Sequence, residues 1–397
     1  MNSVFESKEY CCGCTACLSI CPQKAITMEY DICGFSYPSI NQKKCVDCEL
    51  CKKCCSFRKD NKYEKFMDCY VVKHISQEVV DESRSGGFFT ALSDEILKNG
   101  GIVYGAFLDD NFFVRHKRAT NYEQRDMLRK SKYVQSNLEG IYDNIALDLC
   151  QGKKVLFSGT GCQCDGLRGY LDSKSISYEN LLICDLVCHS NASPMLFKKY
   201  LNYQSHRFHL KIKEYYFRDK GKYTWMDHVE KIVFENDKVY YTDEYTNLFY
   251  TDDIRPSCYN CKYTSLNRSG DFTLADCWGG QKIYPEIVNE KGASLVLVNT
   301  EKGKKYLEKI KSDIIIKPIK IEEVMQPRFQ GPEEKSMKYD RFWADYQNLD
   351  FAKFMKKYSK NNYEKKYILI KNIRKITKLP FRGIKKLLGE LCHDVRK

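Results

Sequence analysis

Between Phe88 and Leu97 apolar residues recur with the spacing of one helix face, and Asn99-Gly100-Gly101 supplies a C-terminal stop. The apolar run Ile102 to Phe107 then reads as a strand. Lys154-Val155-Leu156-Phe157 is a second short strand, followed by a turn rich in glycine and cysteine and a helix near Leu167 to Leu171. Leu181 to Val187 and Ser294 to Asn299 read as two further buried strands. Strands interleaved with helices predict an α/β or α+β body beginning near Tyr70. Residues 1–60 lack this rhythm and are dense in cysteine, and Lys59-Asp60-Asn61-Lys62 is a polar linker. From about Phe354 onward Lys and Arg mix with Ile368, Ile373, Ile376, Leu387 and Leu388, which predicts a basic helical tail broken at Pro380. The expected division is therefore 1–60, a body in two parts at 70–150 and 151–330, and a tail at 331–397.

Composition changes this picture in two places. The first is charge. A formal net charge of +13 suggests a nucleic-acid partner, but residues 352–397 hold 15 Lys or Arg against 3 Asp or Glu, while the other 351 residues hold 50 and 49. The body is neutral, so no nucleic-acid partner is expected. The tail admits two readings: a basic amphipathic segment in peripheral contact with an anionic membrane, or a solvated helix resting weakly on the body, which is the favoured one. The second is cysteine, of which there are 21 in 397 residues. No apolar run of about 18 residues exists, so no membrane span is expected. The N-terminus lacks the basic-then-apolar pattern of a signal peptide. Both point to the cytoplasm, with the inner membrane face as the peripheral alternative. In that reducing compartment clustered cysteines mean metal or redox chemistry rather than disulfides.

The cysteine spacing is specific. Cys11, Cys14, Cys17 and Cys21 are separated by two, two and three residues and followed by Pro22; Cys45, Cys48, Cys51 and Cys55 repeat the spacing. Two-residue gaps wrap a tight loop around one 4Fe-4S cubane, and the fourth cysteine reaches across to the other, as in bacterial two-cluster ferredoxins. The assignment is Cys11, Cys14, Cys17 and Cys55 on cluster one, and Cys45, Cys48, Cys51 and Cys21 on cluster two. A zinc module would use cysteine pairs instead. Ser56 stands where the second motif would carry proline, Cys54 competes with Cys55, and Cys12 and Cys33 have no assigned role. The fold class is accordingly α+β: a two-cluster ferredoxin-like module, a mixed α/β body and a basic helical tail.

The body carries its own ordered signals. Ser85, Gly86 and Gly87 open a helix, where free N–H groups and the helix dipole favour phosphate. Gly159, Thr160 and Gly161 repeat that logic after a strand, although neither loop is a recognised nucleotide motif; a plain structural turn is the alternative for each. Lys132, Tyr133 and Gln135 lie in Ser131-Lys132-Tyr133-Val134-Gln135-Ser136 and either contact a cofactor or form a surface loop. Further on come Asp185-Leu186-Val187-Cys188-His189, Ser193-Pro194, Phe217-Arg218-Asp219-Lys220, Arg255-Pro256-Ser257-Cys258-Tyr259-Asn260-Cys261, Asp276-Cys277-Trp278-Gly279 and Lys291-Gly292-Ala293-Ser294. Cys258 and Cys261 are a short chelating pair that alone could hold zinc or nothing, while Cys162 and Cys188 lie at predicted strand ends, where α/β sheets gather their functional groups.

This order, from about residue 70 to 330, resembles the beta-subunit family of coenzyme F420 hydrogenases and dehydrogenases. The resemblance implies FAD as the hydride-handling cofactor and a third 4Fe-4S cluster beside it, held by Cys162, Cys188, Cys258 and Cys261. Its alternative is a two-cluster protein with buried free cysteines there. Three departures stand out: Gly161 replaces the usual proline, Ser190 the usual glycine, and Cys164 and Cys277 lie near enough to substitute as ligands. His189 is the candidate for proton transfer, against a purely structural role, with Asp276 and Arg218 behind it.

The reading that follows is an iron–sulfur flavoprotein oxidoreductase. It would pass electrons between a small-molecule hydride carrier, reduced coenzyme F420 among the candidates, FAD and the clusters, to or from a redox partner protein or subunit. The alternatives are an electron-delivering adapter without its own substrate and a redox sensor.

Overall fold

The structure, a computed structural model, describes residues 3–59, 63–221 and 223–359. At its N-terminal end β1 (Ile26–Tyr30) and β2 (Ser36–Ile40) form an antiparallel hairpin. The Asp31 carboxylate fixes the turn by accepting the N–H groups of Cys33 and Phe35, each at 3.0 Å. Two short helices, Ala16–Ile20 and Leu50–Lys53, flank the hairpin. The duplicated cysteine motif folds into duplicated backbone. Gly13 and Asp47 take φ of 67° and 51°, and Thr15 and Glu49 take φ of 67° and 59°, at matching positions of the two loops.

The body is built on one eight-stranded mixed sheet. Its strands are β3 (Asp68–His74), β4 (Ile102–Leu108), β5 (Val114–Ala119), β6 (Val155–Thr160), β7 (Leu181–Leu186), β11 (Phe272–Asp276), β12 (Ser294–Val298) and β13 (Ile314–Pro318), in the order β13-β3-β12-β11-β7-β6-β4-β5. Strands β4, β6, β7 and β11 are parallel, and the others run antiparallel to their neighbours. Alternation sets the two faces. Leu156 and Leu182 pack against helices Phe88–Lys98 and Glu301–Lys309, whereas Val155, Phe157, Leu181 and Ile183 pack against helices Ile141–Cys150 and Gly161–Ser173. The two expected parts of the body, 70–150 and 151–330, meet inside this sheet. The four strands read from the sequence are all present. The helix read near Leu167 to Leu171 extends back to Gly161 because Gln163 Oε1 accepts the Thr160 N–H at 3.0 Å and closes the first turn.

A second, three-stranded sheet, β8 (Ile212–Tyr216), β9 (Glu230–Phe234) and β10 (Val239–Thr242), packs on helix Pro194–Phe208 around aromatic side chains including Phe197, Tyr200, Tyr215 and Tyr245. Helices Tyr339–Asn348 and Phe351–Tyr358 complete that core through Phe342, Trp343 and Phe354. The part of the expected tail from 331 to 359 is thus built into the body and is not a loosely resting helix. The basic stretch from 360 onward lies outside the described residues, and with it the readings of helix and membrane contact. No helix among the described residues is long and apolar enough to cross a membrane.

The N-terminal module sits against helix Gly161–Ser173. A side chain at Gly166 would collide with Cys14 Sγ, and one at Gly169 with the Cys54 carbonyl. Glycine inside a helix normally costs about 1 kcal/mol relative to alanine; here the two glycines let the cysteine loops approach the helix backbone. The Phe35 ring also meets Trp343 edge-on at 5.6 Å, which ties the hairpin to the aromatic core.

Candidate functional site

The module's cysteines separate into two groups. Cys11, Cys14, Cys17 and Cys55 line one small cavity, together with Cys12 and Thr15. Cys21, Cys45, Cys48 and Cys51 line another, with Val46 and Leu50. These are the two quartets that the spacing assigns. The cavities differ in setting. Cys14 and Cys17 are buried in the first, while Cys48 and Val46 are exposed at the mouth of the second. Cys54 lines neither cavity; it is buried, with its thiol donating toward the Cys51 carbonyl at 3.5 Å.

Cys162, Cys188, Cys258 and Cys261 come together in the body. Cys162 lies in the first turn of helix Gly161–Ser173, Cys188 just beyond the end of β7, and the other two in and after the 3-10 turn Pro256–Asn260. Each of Cys188, Cys258 and Cys261 has Cys162 among its close electrostatic neighbours. Burial pushes the Cys188 thiol up to about 12 and Cys261 up to about 11. Any metal bound here must therefore displace protons. Cys164 and Cys277 stand apart: Cys164 turns into the core toward the Gly159 carbonyl at 3.6 Å, and Cys277 packs with Ile287 and Val288. Ser190 takes φ of 99°, so this chain adopts the backbone that a glycine would take there.

Among the described residues no three His, Cys, Asp or Glu side chains grip a single ion. A tetrahedral zinc site would need sulfurs about 3.8 Å apart, from Zn–S bonds of about 2.3 Å. A cubane takes one thiolate at each of four irons and spreads its ligands wider, which suits four cysteines gathered around a cavity.

Cys12 joins the module to the body quartet. Its thiol lies beside the sulfurs of Cys14 and Cys162 and can donate to either one at a time; this sharing holds Cys12 well above the ordinary thiol range and lowers its two partners. Beside it lies Arg255, fully buried. Its Nε donates to the Cys11 carbonyl at 2.7 Å, its Nη2 to the Ser36 carbonyl at 3.0 Å and to Cys11 Sγ at 3.7 Å, and its Nη1 to Gln135 Oε1 at 2.7 Å. Gln135 Nε2 in turn donates to the Cys12 carbonyl at 3.1 Å. Spacing alone carried no signal for Cys12 or Arg255.

A cleft of about 250 Å³ opens at the C-terminal ends of β4, β6, β7 and β11. The carboxyl ends of parallel strands are the usual place for a ligand in an α/β sheet. Ser85, Gly87, Lys132, Tyr133, Gly159, Thr160, Cys188 and His189 line it; Gly86, Gln135 and Gly161 do not. Gly86 is wedged against β3 and β12, its N–H donating to Ser294 Oγ at 3.0 Å. Gly161 packs on Tyr263. The N–H of Thr160 is likewise taken, by Gln163, so each of the two loops already uses one of its N–H groups within the protein. Lys132 turns its ammonium onto the carbonyls of Met127, Arg129 and Lys130, and burial pushes it down to about 7.

The polar wall of the cleft is built from distant segments. Arg84 and Arg218 share the Asp276 carboxylate at 3.3 and 3.5 Å and both donate to the Trp225 carbonyl. Arg218 also donates to the Tyr133 hydroxyl at 2.8 Å. Among the described residues Arg84 Nε and Nη1 are buried without a partner, a costly state unless a ligand accepts from them. His189 lies 5.0 Å from the Trp278 ring, and burial with Arg328 and Arg218 nearby lowers it to about 4, so its imidazole is neutral at neutral pH.

The body is thus a mixed α/β sheet with a polar cleft at its carboxyl edge and converging thiols at the same edge. Residues 152–324 match the family described as the C terminus of the coenzyme F420 hydrogenase/dehydrogenase beta subunit. Over that segment, a little under half of the chain, it is similar to this family of oxidoreductases. Among solved structures it is similar to a chain of the F420-reducing NiFe hydrogenase complex from Methanosarcina barkeri, at 17% identity and a TM-score of 0.47, covering 77% of this chain and 99% of that one. No curated protein matches.

Proposed function

We propose that this protein is an iron–sulfur flavoprotein that carries electrons between a hydride carrier at the cleft and a redox partner at the exposed edge of the N-terminal module. The observation that carries the reading is the order of the thiols. Cys48 stands at the surface, the two module quartets lie side by side, Cys12 joins the inner one to Cys162, and Cys188 reaches the wall of the cleft.

In this reading Cys21, Cys45, Cys48 and Cys51 hold an outer 4Fe-4S cluster, Cys11, Cys14, Cys17 and Cys55 an inner one, and Cys162, Cys188, Cys258 and Cys261 a third. FAD fits the cleft on two counts. The start of helix Phe88–Lys98 and the unpartnered nitrogens of Arg84 suit a phosphate or a flavin carbonyl. The cleft also lies beside Cys188. A flavin bound there supplies two-electron exchange with the hydride carrier and one-electron exchange with a cluster. Tyr133 and Arg218 orient what is bound, and His189 offers a neutral imidazole as a hydrogen-bond partner at the cleft wall. Reduced coenzyme F420 is the proposed hydride carrier because of the family of residues 152–324. The partner is a second redox protein or subunit, and the setting is cytoplasmic.

The test is metal and flavin analysis of anaerobically purified protein. About twelve irons and one FAD per chain are expected from three cubanes. About eight irons would remove the third cluster, and clusters without flavin would favour the electron-delivering adapter. Arg84→Ala should lower flavin occupancy while leaving iron content unchanged.

A further inference from the structure

Arg255 is a buried cation with an unusual set of partners. Its side chain is fully enclosed, yet among the described residues no carboxylate pairs with it. Its three nitrogens reach two backbone carbonyls, one amide oxygen and the Cys11 sulfur, and its guanidinium lies 4.1 Å from the Tyr37 ring centre. The ionisable groups nearest its charge are Tyr37, Cys11, Cys12 and Cys258, all neutral as thiol or phenol until a metal displaces a proton. Arginine stays protonated in proteins. A buried charge persists only where an opposite charge meets it. Three of the four groups are cysteines, and they belong to both sides of the junction: Cys11 to the module's inner quartet, Cys258 to the body quartet.

We propose that Arg255 is the positioning charge shared by the inner cluster of the module and the cluster of the body, favouring the reduced state of both and fastening the module to the body through their negative charge. This rests on the iron–sulfur reading above. When either cluster takes up one electron and no proton, its net charge becomes more negative by one. A fixed cation between them stabilises that product, which raises the reduction potential. The outer quartet is not among the groups that meet Arg255 and should not feel it to the same degree. The fork of the guanidinium, on the carbonyls of Cys11 and Ser36, also holds the cysteine loop and the hairpin against the body.

The experiment is a redox titration of the full-length, iron-loaded chain, followed by the electron spin resonance of each reduced cluster with dithionite as reductant, for the wild type, R255M and R255K. In R255M, at a fixed solution potential, the reduced-to-oxidised ratio of the inner and body clusters should fall about tenfold, equivalent to 59 mV for one electron. The outer cluster should stay within about threefold, under half that shift. R255K keeps the charge without the fork and should leave all three clusters within about threefold. R255M with twelve irons and three unchanged potentials would overturn the proposal. So would an equal fall in R255K, or loss of iron from both variants, because either would assign the role to the fork and not to the charge. Iron lost from R255M and retained in R255K would support it. Wild-type iron content keeps the two failures apart: too little iron overturns the three-cluster reading itself, whereas full iron with unshifted potentials overturns only the role of Arg255.

Discussion

The two cysteine loops of the N-terminal module share spacing and backbone, yet they serve different surroundings. The inner loop, Cys11 to Cys17, is pressed onto helix Gly161–Ser173, with Gly13 against Gln135 and Arg255, and Cys14 against Gly166. The outer loop, Cys45 to Cys51, leaves Cys48 and Val46 open to solvent. Repetition of a motif therefore fixes the local shape of a site but not its place in a path. The inner loop has become part of the body's core, and the outer one remains free to meet another molecule.

The sharpest way to break this contrast is to delete one ligand from each loop. Cys48→Ser should cost about four irons, with little change in thermal unfolding. Cys17→Ser should cost at least as many and also leave Arg255 short of counter-charge, which destabilises by about 3–5 kcal/mol when a buried pair loses one partner. Iron analysis and thermal unfolding check both; equal losses of stability would erase the distinction. Next in size is Gly13→Ala. The new methyl would meet the Gln135 amide in a left-handed residue. Strain of about 1–2 kcal/mol and overpacking of about 1–3 kcal/mol should add. At the matching outer position Asp47 is exposed and already tolerates φ of 51°, so Asp47→Ala should change stability by under about 1 kcal/mol. Denaturant unfolding of the two variants side by side measures the difference.

Gln135→Ala probes the same junction more gently. It removes the bridge between Arg255 Nη1 and the Cys12 carbonyl, leaving two buried groups short of a partner. A loss of about 1–3 kcal/mol is expected, with the outer cluster's spectrum unchanged. The smallest effect should come from Ser190→Gly, on the body side of the junction. Its φ of 99° suits glycine, so relief of strain should outweigh the entropy of glycine and stabilise the chain by up to about 1 kcal/mol, read as a rise in Tm.

Much of the fold could be read from the chain because the signals are local. The unbroken apolar runs Val155 to Phe157 and Leu181 to Ile183 mark strands buried on both faces, and Asn99-Gly100 marks the end of a helix. The attachment of residues 331 to 359 to the body is not legible in the chain, because Phe342, Trp343 and Phe354 find their partners only in an aromatic core built from distant segments. In the cleft, Ser85, Gly87, Tyr133 and His189 were placed by motif order. Gly86, Gln135 and Gly161 share those motifs but turn to packing, since adjacent residues in a loop face different neighbours.

The sequence by itself determined the two module quartets. Two-residue gaps repeated in both motifs divide the eight cysteines into two fours before any distant contact is known. Tertiary structure alone decided which quartet faces the body. That choice rests on Arg255 meeting Cys11 across 244 positions and Gln135 meeting Cys12 across 123. Spacing within a motif carries no trace of such contacts, because they exist only once the module has closed onto the sheet.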